Sequence, residues 1–119
     1  MRILRWMAAA AATTALIAGA PVVLPRLYAD ASHIYGSYTI RTERRDALSA
    51  WLTERKIGNL TYYPIPLHLQ PAYAFLGYRE GDLPVAERHA REVLSLPMFP
   101  DITDTQIETV AEAVTAFFE

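Results

Sequence analysis

The sequence contains no cysteine and only one lysine, Lys56, among its 119 residues. The absence of cysteine excludes disulfide bonds, thiolate metal sites and a cysteine nucleophile, and it leaves the redox compartment open. The single lysine restricts any chemistry that needs a side-chain amine to one position. With 52% hydrophobic and 20% charged residues, the composition fits one small globular domain.

The chain also lacks a strong excess of charge and a clustered set of histidines. The formal net charge is −2, and because the basic residues are scattered, no surface for nucleic acid is expected. The three histidines, His33, His68 and His89, lie far apart and follow no metal-ligand spacing. We therefore expect no metal site.

Residues 1–20 allow two interpretations. Two arginines precede an apolar run that ends in small residues, which is typical of a secretory signal peptide. The alternative is an alanine-rich helix that ends at Gly19, with Pro21 just beyond it. The run is too short and too mildly hydrophobic to span a membrane. We favour the helix, and divide the chain into a helix with its connector at residues 1–31 and a domain at residues 32–119.

Hydrophobic periodicity and turn residues predict the elements of the domain. The predicted order is a strand at 34–41, a helix at 43–56 stopped by Gly58, a short strand at 60–63, helical turns at 72–76 that end at Gly77, a helix at 84–94, a strand-like segment at 95–98 and a final helix. The final helix has the clearest start signal, because Thr103 and Gln106 follow the capping-box pattern. This order predicts a small α/β or α+β domain.

A proline-rich stretch from Tyr62 to Pro71 is the most informative part of the sequence. Its three prolines fix φ and remove backbone donors, so neither a helix nor a central strand can run through it. The resulting stiff loop carries four side chains that can form hydrogen bonds: Tyr62, Tyr63, His68 and Gln70. Loops held by a scaffold often bind ligands. The alternative is a connector whose aromatic residues only cover a core.

Several short motifs occur in a fixed order around this loop. They are Tyr62-Tyr63-Pro64, Pro66-Leu67-His68-Leu69-Gln70, Leu76-Gly77-Tyr78, Gly81-Asp82, Pro84-Val85-Ala86-Glu87 and Leu94-Ser95-Leu96-Pro97-Met98. From about Ser32 to Glu119 the chain resembles the carboxy-terminal small domain of the DegT/DnrJ/EryC1/StrS sugar aminotransferases. Residues 14–25 are similar to the end of the helix that bridges the two domains in this family, which is why we favour a helix over a signal peptide.

The resemblance implies a short, mainly antiparallel sheet with flanking helices, as in the C-terminal domain of fold-type I aminotransferases. Family members use pyridoxal 5′-phosphate (PLP) to transfer an amino group to a keto-sugar nucleotide, and their large domain carries the Schiff-base lysine. We therefore expect a fragment that is inactive alone, with no catalytic residue or cofactor site. Lys56 is then only a cation at a helix end. The resemblance further implies a cytoplasmic enzyme whose intact form is a homodimer or contains a large-domain partner.

By the same resemblance, Tyr63, His68 and Gln70 lie at the mouth of the active site and bind the nucleotide-sugar. The tyrosine can stack on, or hydrogen-bond, a sugar or a base. His68 can hydrogen-bond a hydroxyl or a phosphate oxygen. Two alternatives stay open: a non-catalytic interaction domain that pairs with a separate large domain, and a secreted small protein with a signal peptide.

Overall fold

The computed structural model describes the backbone of residues 2–119 and the side chains of residues 4–119. This part of the chain forms a small α+β domain, which confirms the predicted class. Its elements are α1 (Arg2–Ile17), β1 (Tyr38–Arg41), α2 (Arg45–Glu54), α3 (Pro84–Glu92), β2 (Val93–Leu96) and α4 (Asp104–Phe118). Between α2 and α3 lie two short 3-10 helices, Leu67–Leu69 and Pro71–Leu76. No helix within the described residues is long and apolar enough to cross a membrane.

The sheet consists of β1 and β2, which pair antiparallel with Tyr38 opposite Leu96. The strand predicted at residues 34–41 is too long, because only its last four residues form β1. Pro97 follows β2 and has no N–H to donate, which disfavours pairing beyond Leu96. Ile34, the first residue of the predicted strand, is consequently 75% exposed.

The elements on either side of the proline-rich loop also differ from the prediction. In place of a strand at residues 60–63, Leu60 alone forms a bridge with Ser95 through two backbone hydrogen bonds. The helix predicted at residues 84–94 ends at Glu92, and the next four residues form β2. All four side chains of β2 are buried. Val93 and Leu94 continue the apolar pattern of the helix in sequence, but pairing with β1 and burial of their side chains favour a strand instead.

The end of α2 shows how tertiary packing shifts a helix stop. The predicted stop at Gly58 is wrong, because Lys56 adopts the left-handed conformation with φ of 59°. The Lys56 N–H donates to the carbonyl of Thr53, and the Ile57 N–H donates to that of Leu52. These two bonds form a Schellman motif. Since Ile57 packs against the core, its burial gives a physical reason for this register.

The hydrophobic core contains side chains from the first helix, the last helix and the sheet. Helix α1 packs against α4, and the core contains residues from α1, both strands, α2 and α4. The largest fully buried side chains are Ile17, Tyr38, Ile40, Leu48, Leu52, Leu94 and Val114. The hydroxyls of Thr14 and Tyr38 lie 2.6 Å apart and link α1 to β1. Burial raises the pKa of the Tyr38 phenol.

The start of α4 matches the prediction. The Thr103 side chain accepts a hydrogen bond from the Gln106 N–H at 3.2 Å, and the Gln106 side chain accepts one from the Thr103 N–H at 2.9 Å. This is a complete capping box. Ile102 and Ile107, which flank it, are buried in the same hydrophobic cluster, so local chemistry alone predicts this boundary.

Candidate functional site

An apolar groove lies where the proline-rich loop crosses α3. Its volume is about 590 Å³. The loop contributes Tyr62, Tyr63 and His68 to its lining, and α3 contributes Ala86 and His89. A mostly apolar groove with a few polar groups is the usual form of a small-molecule site.

Proline and glycine residues give the loop its course. Pro66 is extended at φ −61° and ψ 145°, and a 3-10 turn follows it. Pro71 occupies the first turn of the next 3-10 helix, where its missing donor costs little. That helix ends at Gly77, which is left-handed at φ 79° as the sequence predicts. The chain therefore forms two turns within a dozen residues, and neither turn depends on hydrogen bonds to a neighbouring strand.

A buried pair of side chains holds this loop to α3. His68 and Glu87 are only 7% and 4% exposed, and His68 Nε2 lies 2.9 Å from Glu87 Oε1. The Glu87 carboxylate also accepts hydrogen bonds from the Gly81 N–H at 2.9 Å and from the Leu83 N–H at 3.3 Å. One carboxylate thus fixes both the first 3-10 turn and the turn that leads into α3.

These hydrogen bonds lower the pKa of Glu87 below its ordinary value of 4.5, the bond from His68 having the largest effect and that from Gly81 the next. Each favours the ionised carboxylate. Because the pKa is lower in the folded than in the unfolded state, the carboxylate stabilises the fold above its unfolded pKa. That contribution is lost as the pH falls through the folded pKa.

We therefore expect the Glu87→Gln variant to be less stable than the wild type near neutral pH, and the difference to shrink as the pH falls well below the ordinary pKa of 4.5. Urea unfolding followed by circular dichroism at a series of pH values measures the difference. Glu80→Gln, in the exposed turn before Gly81, is the control and should show no such pH dependence. A Glu87→Gln deficit that stays constant down to about pH 3 would contradict the assignment.

The structure brings two of the three predicted site residues to one groove. Tyr63 is 63% exposed at its rim, where its ring meets that of Tyr62 edge to face at 5.7 Å. His68 also lines the groove, although it is buried. Gln70 is half-buried and does not belong to the lining of the groove. Its Nε2 donates a hydrogen bond to the carbonyl of Ile65 at 3.2 Å.

The sequence analysis missed Glu87 as a member of this site. A glutamate in the first turn of a helix is ordinary, because it complements the helix dipole. The available signal was the turn Gly81-Asp82 just before it, whose N–H groups need acceptors. His89, which the sequence analysis also did not assign to this site, lines the groove as well.

Lys56 lies elsewhere on the surface. It is exposed and lines a separate groove with Arg55 and Ile57. No carboxylate belongs to that lining as the structure describes it. The structure therefore does not bring the single lysine to the groove that contains Tyr63 and His68.

Comparisons with known proteins identify relatives that match most of the chain. A model of the DegT/DnrJ/EryC1/StrS aminotransferase family matches residues 3–115. A protein named pleiotropic regulatory protein from Geobacillus stearothermophilus is 48% identical over 97 residues, which is 82% of this chain and 26% of that protein. The dTDP-3-amino-3,4,6-trideoxy-alpha-D-glucose transaminase of Streptomyces venezuelae is 45% identical over 104 residues, which is 87% of this chain and 27% of that protein.

A solved structure agrees with these matches. The crystal structure of S. venezuelae DesV in complex with a ketimine intermediate superposes with a TM-score of 0.93 at 44% sequence identity. The match covers 97% of this chain and 31% of that one. The chain spans about a quarter of the length of the curated relatives described above.

Proposed function

The chain belongs to the DegT/DnrJ/EryC1/StrS aminotransferase family, and from this premise we propose that it is the substrate-facing small domain of a nucleotide-sugar aminotransferase. The reaction proposed for the intact enzyme is PLP-dependent transfer of an amino group to a keto-sugar nucleotide. The observation that carries the proposal is the groove in which Tyr62 and Tyr63 lie beside His68. The Streptomyces relative is named as a transaminase of a dTDP-sugar, which supports this class of substrate.

The chemistry of the groove supports a nucleotide-sugar ligand. The exposed phenol rings of Tyr62 and Tyr63 offer apolar faces for a sugar or a base and hydroxyls for hydrogen bonds. His68 is the polar group on the buried side. Gln70, beside the groove, is the third proposed contact: one of its two amide N–H groups donates to Ile65, which leaves the second N–H and the carbonyl oxygen to bond a ligand.

The residues of this chain do not fit a PLP site. A Schiff base requires a desolvated lysine beside the bound cofactor, whereas Lys56 is exposed after the end of α2. The surface groove beside Lys56 contains no acidic residue in its described lining that could pair with a pyridine nitrogen. We therefore propose that this chain contributes substrate contacts, and we assign no catalytic step to its residues.

A second candidate function is an interaction domain that pairs with a large domain of the same family. It is favoured by the concentration of exposed large apolar side chains in one stretch, namely Leu60, Tyr62, Tyr63, Ile65, Leu67, Tyr73, Phe75, Leu76, Tyr78, Leu83 and Val85. Exposed apolar patches of this kind often contact another protein surface. The second subunit of a homodimer of the intact enzyme is the other partner that we propose for this stretch.

Removing the ring of Tyr63 tests the substrate proposal. We expect Tyr63→Ala to weaken the binding of dTDP-glucose about tenfold, because it removes a stacking face worth about 1 kcal/mol and a hydroxyl. The side chain is exposed, so folding should be unaffected. Titration calorimetry with the full chain measures the dissociation constant.

Phe75→Ala is the matched control, since Phe75 lies in the 3-10 helix just after the loop, is more exposed than Tyr63 and does not line the groove. Equal loss of binding in the two variants would count against the proposed site. A chain that binds no sugar nucleotide, but does bind a separately produced large domain, would favour the interaction domain.

A further inference from the structure

The carboxylate of Glu87 is surrounded by hydrogen-bond donors. Both of its oxygens accept from the Gly81 N–H, and Oε1 also accepts from the Leu83 N–H. An ionised carboxylate can only accept hydrogen bonds, and these donors favour that ionised form. The remaining partner of Oε1, the Nε2 atom of His68 at 2.9 Å, must therefore donate, so Nε2 carries a proton.

The other ring nitrogen then has a defined role. A neutral imidazole carries one proton, so with Nε2 protonated the Nδ1 atom is an acceptor. No hydrogen bond joins Nδ1 to any of the described residues, while His68 lines the groove. The Tyr78 ring, whose centroid lies 6.0 Å from that of His68 and nearly perpendicular to it, packs against the imidazole and restricts its rotation.

We propose that Glu87 is a positioning residue that holds His68 as the neutral Nε2–H tautomer, so that His68 presents a hydrogen-bond acceptor to the ligand. The group opposite His68 is then a donor, such as a sugar hydroxyl. It is not a phosphate oxygen, because a fully ionised diphosphate bridge can only accept. This inference rests on the proposed function for the identity of the ligand, but the tautomer itself does not depend on any ligand.

The tautomer can be measured directly by nitrogen NMR of the full chain labelled with ¹⁵N-histidine, at about pH 8, where an ordinary histidine is neutral. We expect a pyrrole-like signal for His68 Nε2 and a pyridine-like signal for Nδ1. A pyrrole-like Nδ1 would overturn the inference. Two pyrrole-like nitrogens would also overturn it, because the imidazolium would then offer a donor to a phosphate.

Variants connect the tautomer to Glu87. Glu87→Gln replaces one acceptor oxygen by an NH₂ group, so we expect the two His68 nitrogens to show averaged shifts from mixed tautomers. Glu80→Gln, the same change in the exposed neighbouring turn, should leave both signals unchanged. An Nε2–H tautomer that persists unaltered in a folded Glu87→Gln variant would show that Glu87 does not set it.

Two probes separate this inference from the proposed function. We expect dTDP-glucose to shift the His68 Nδ1 signal and dTDP, which lacks the hexose hydroxyls, to leave it unchanged. An equal shift with both nucleotides would place a phosphate or the nucleoside beside His68 and overturn the ligand assignment. Failure of both to bind, together with the expected tautomer in the free chain, would overturn the sugar-nucleotide function and leave the role of Glu87 supported.

Discussion

Replacing Tyr38 with alanine is expected to lower the free energy of unfolding by about 3–5 kcal/mol, the usual cost of removing a large aromatic ring from a core. Tyr38 is fully buried in β1, and its hydroxyl is bonded to Thr14 of α1. The change therefore leaves a cavity between the sheet and α1 and also removes a polar link. Urea unfolding monitored by circular dichroism measures the effect.

Two further variants separate the sources of this loss. Tyr38→Phe removes only the hydroxyl and should cost about 1 kcal/mol, because Thr14 keeps its bond to the carbonyl of Ala10. Ile34→Ala, at the first residue of the predicted strand, is the control. Since Ile34 is largely exposed, its effect should stay within about 0.5 kcal/mol. If Tyr38→Ala cost no more than Ile34→Ala, the observed position of β1 would be wrong.

Arg45→Met is expected to destabilise the domain by about 3 kcal/mol, because it leaves buried carbonyl groups without a partner. Arg45 is only 8% exposed, and its Nη1 atom donates to the carbonyls of Ala90 and Val93, both at 3.1 Å. It thereby satisfies carbonyls at the end of α3 and complements the dipole of that helix. The same atom donates to Thr61 at 3.2 Å, so one guanidinium joins the start of α2, the end of α3 and the entry to the loop.

Methionine retains much of the volume of arginine, so this variant tests hydrogen bonding more than packing. Arg88→Met on α3 is the control: Arg88 is exposed, and its replacement should change stability by no more than about 0.5 kcal/mol. Arg45→Lys should recover only part of the loss, because an ammonium group does not reproduce the planar fork of a guanidinium. Chemical denaturation of the three variants under identical conditions gives the comparison, and equal stability of the Arg45→Met and Arg88→Met variants would refute the bridging role.

The features that the sequence predicts well depend on neighbouring residues. The capping box of α4 spans Thr103 to Gln106, and the left-handed Gly77 ends a helical turn that begins only six residues earlier. The proline-rich loop is equally local, since each proline restricts its own φ and the residue before it. Patterns of this kind can be read without knowing the fold.

The features that the sequence does not predict depend on distant partners. His68 and Glu87 are 19 residues apart, and Arg45 is 45 residues from Ala90. Apart from the turn before Glu87, little in their local sequence distinguishes these polar residues from solvent-exposed ones in similar turns and helices. The first pair forms only when the loop folds against α3, and the bonds of Arg45 form only when the start of α2 meets the end of α3. Neither contact can therefore be read from neighbouring residues.

The loop that lines the groove lies, in sequence, between the two paired strands, and this has a consequence for how the shape of the groove can change. The proline-rich loop is an excursion from the sheet: it leaves after β1 and α2 and returns through α3 to β2. The entropic cost of closing such an excursion grows only with the logarithm of its length. Residues can therefore be inserted or exchanged in the loop while the pairing of β1 with β2 is retained, so one framework can accommodate differently shaped ligands.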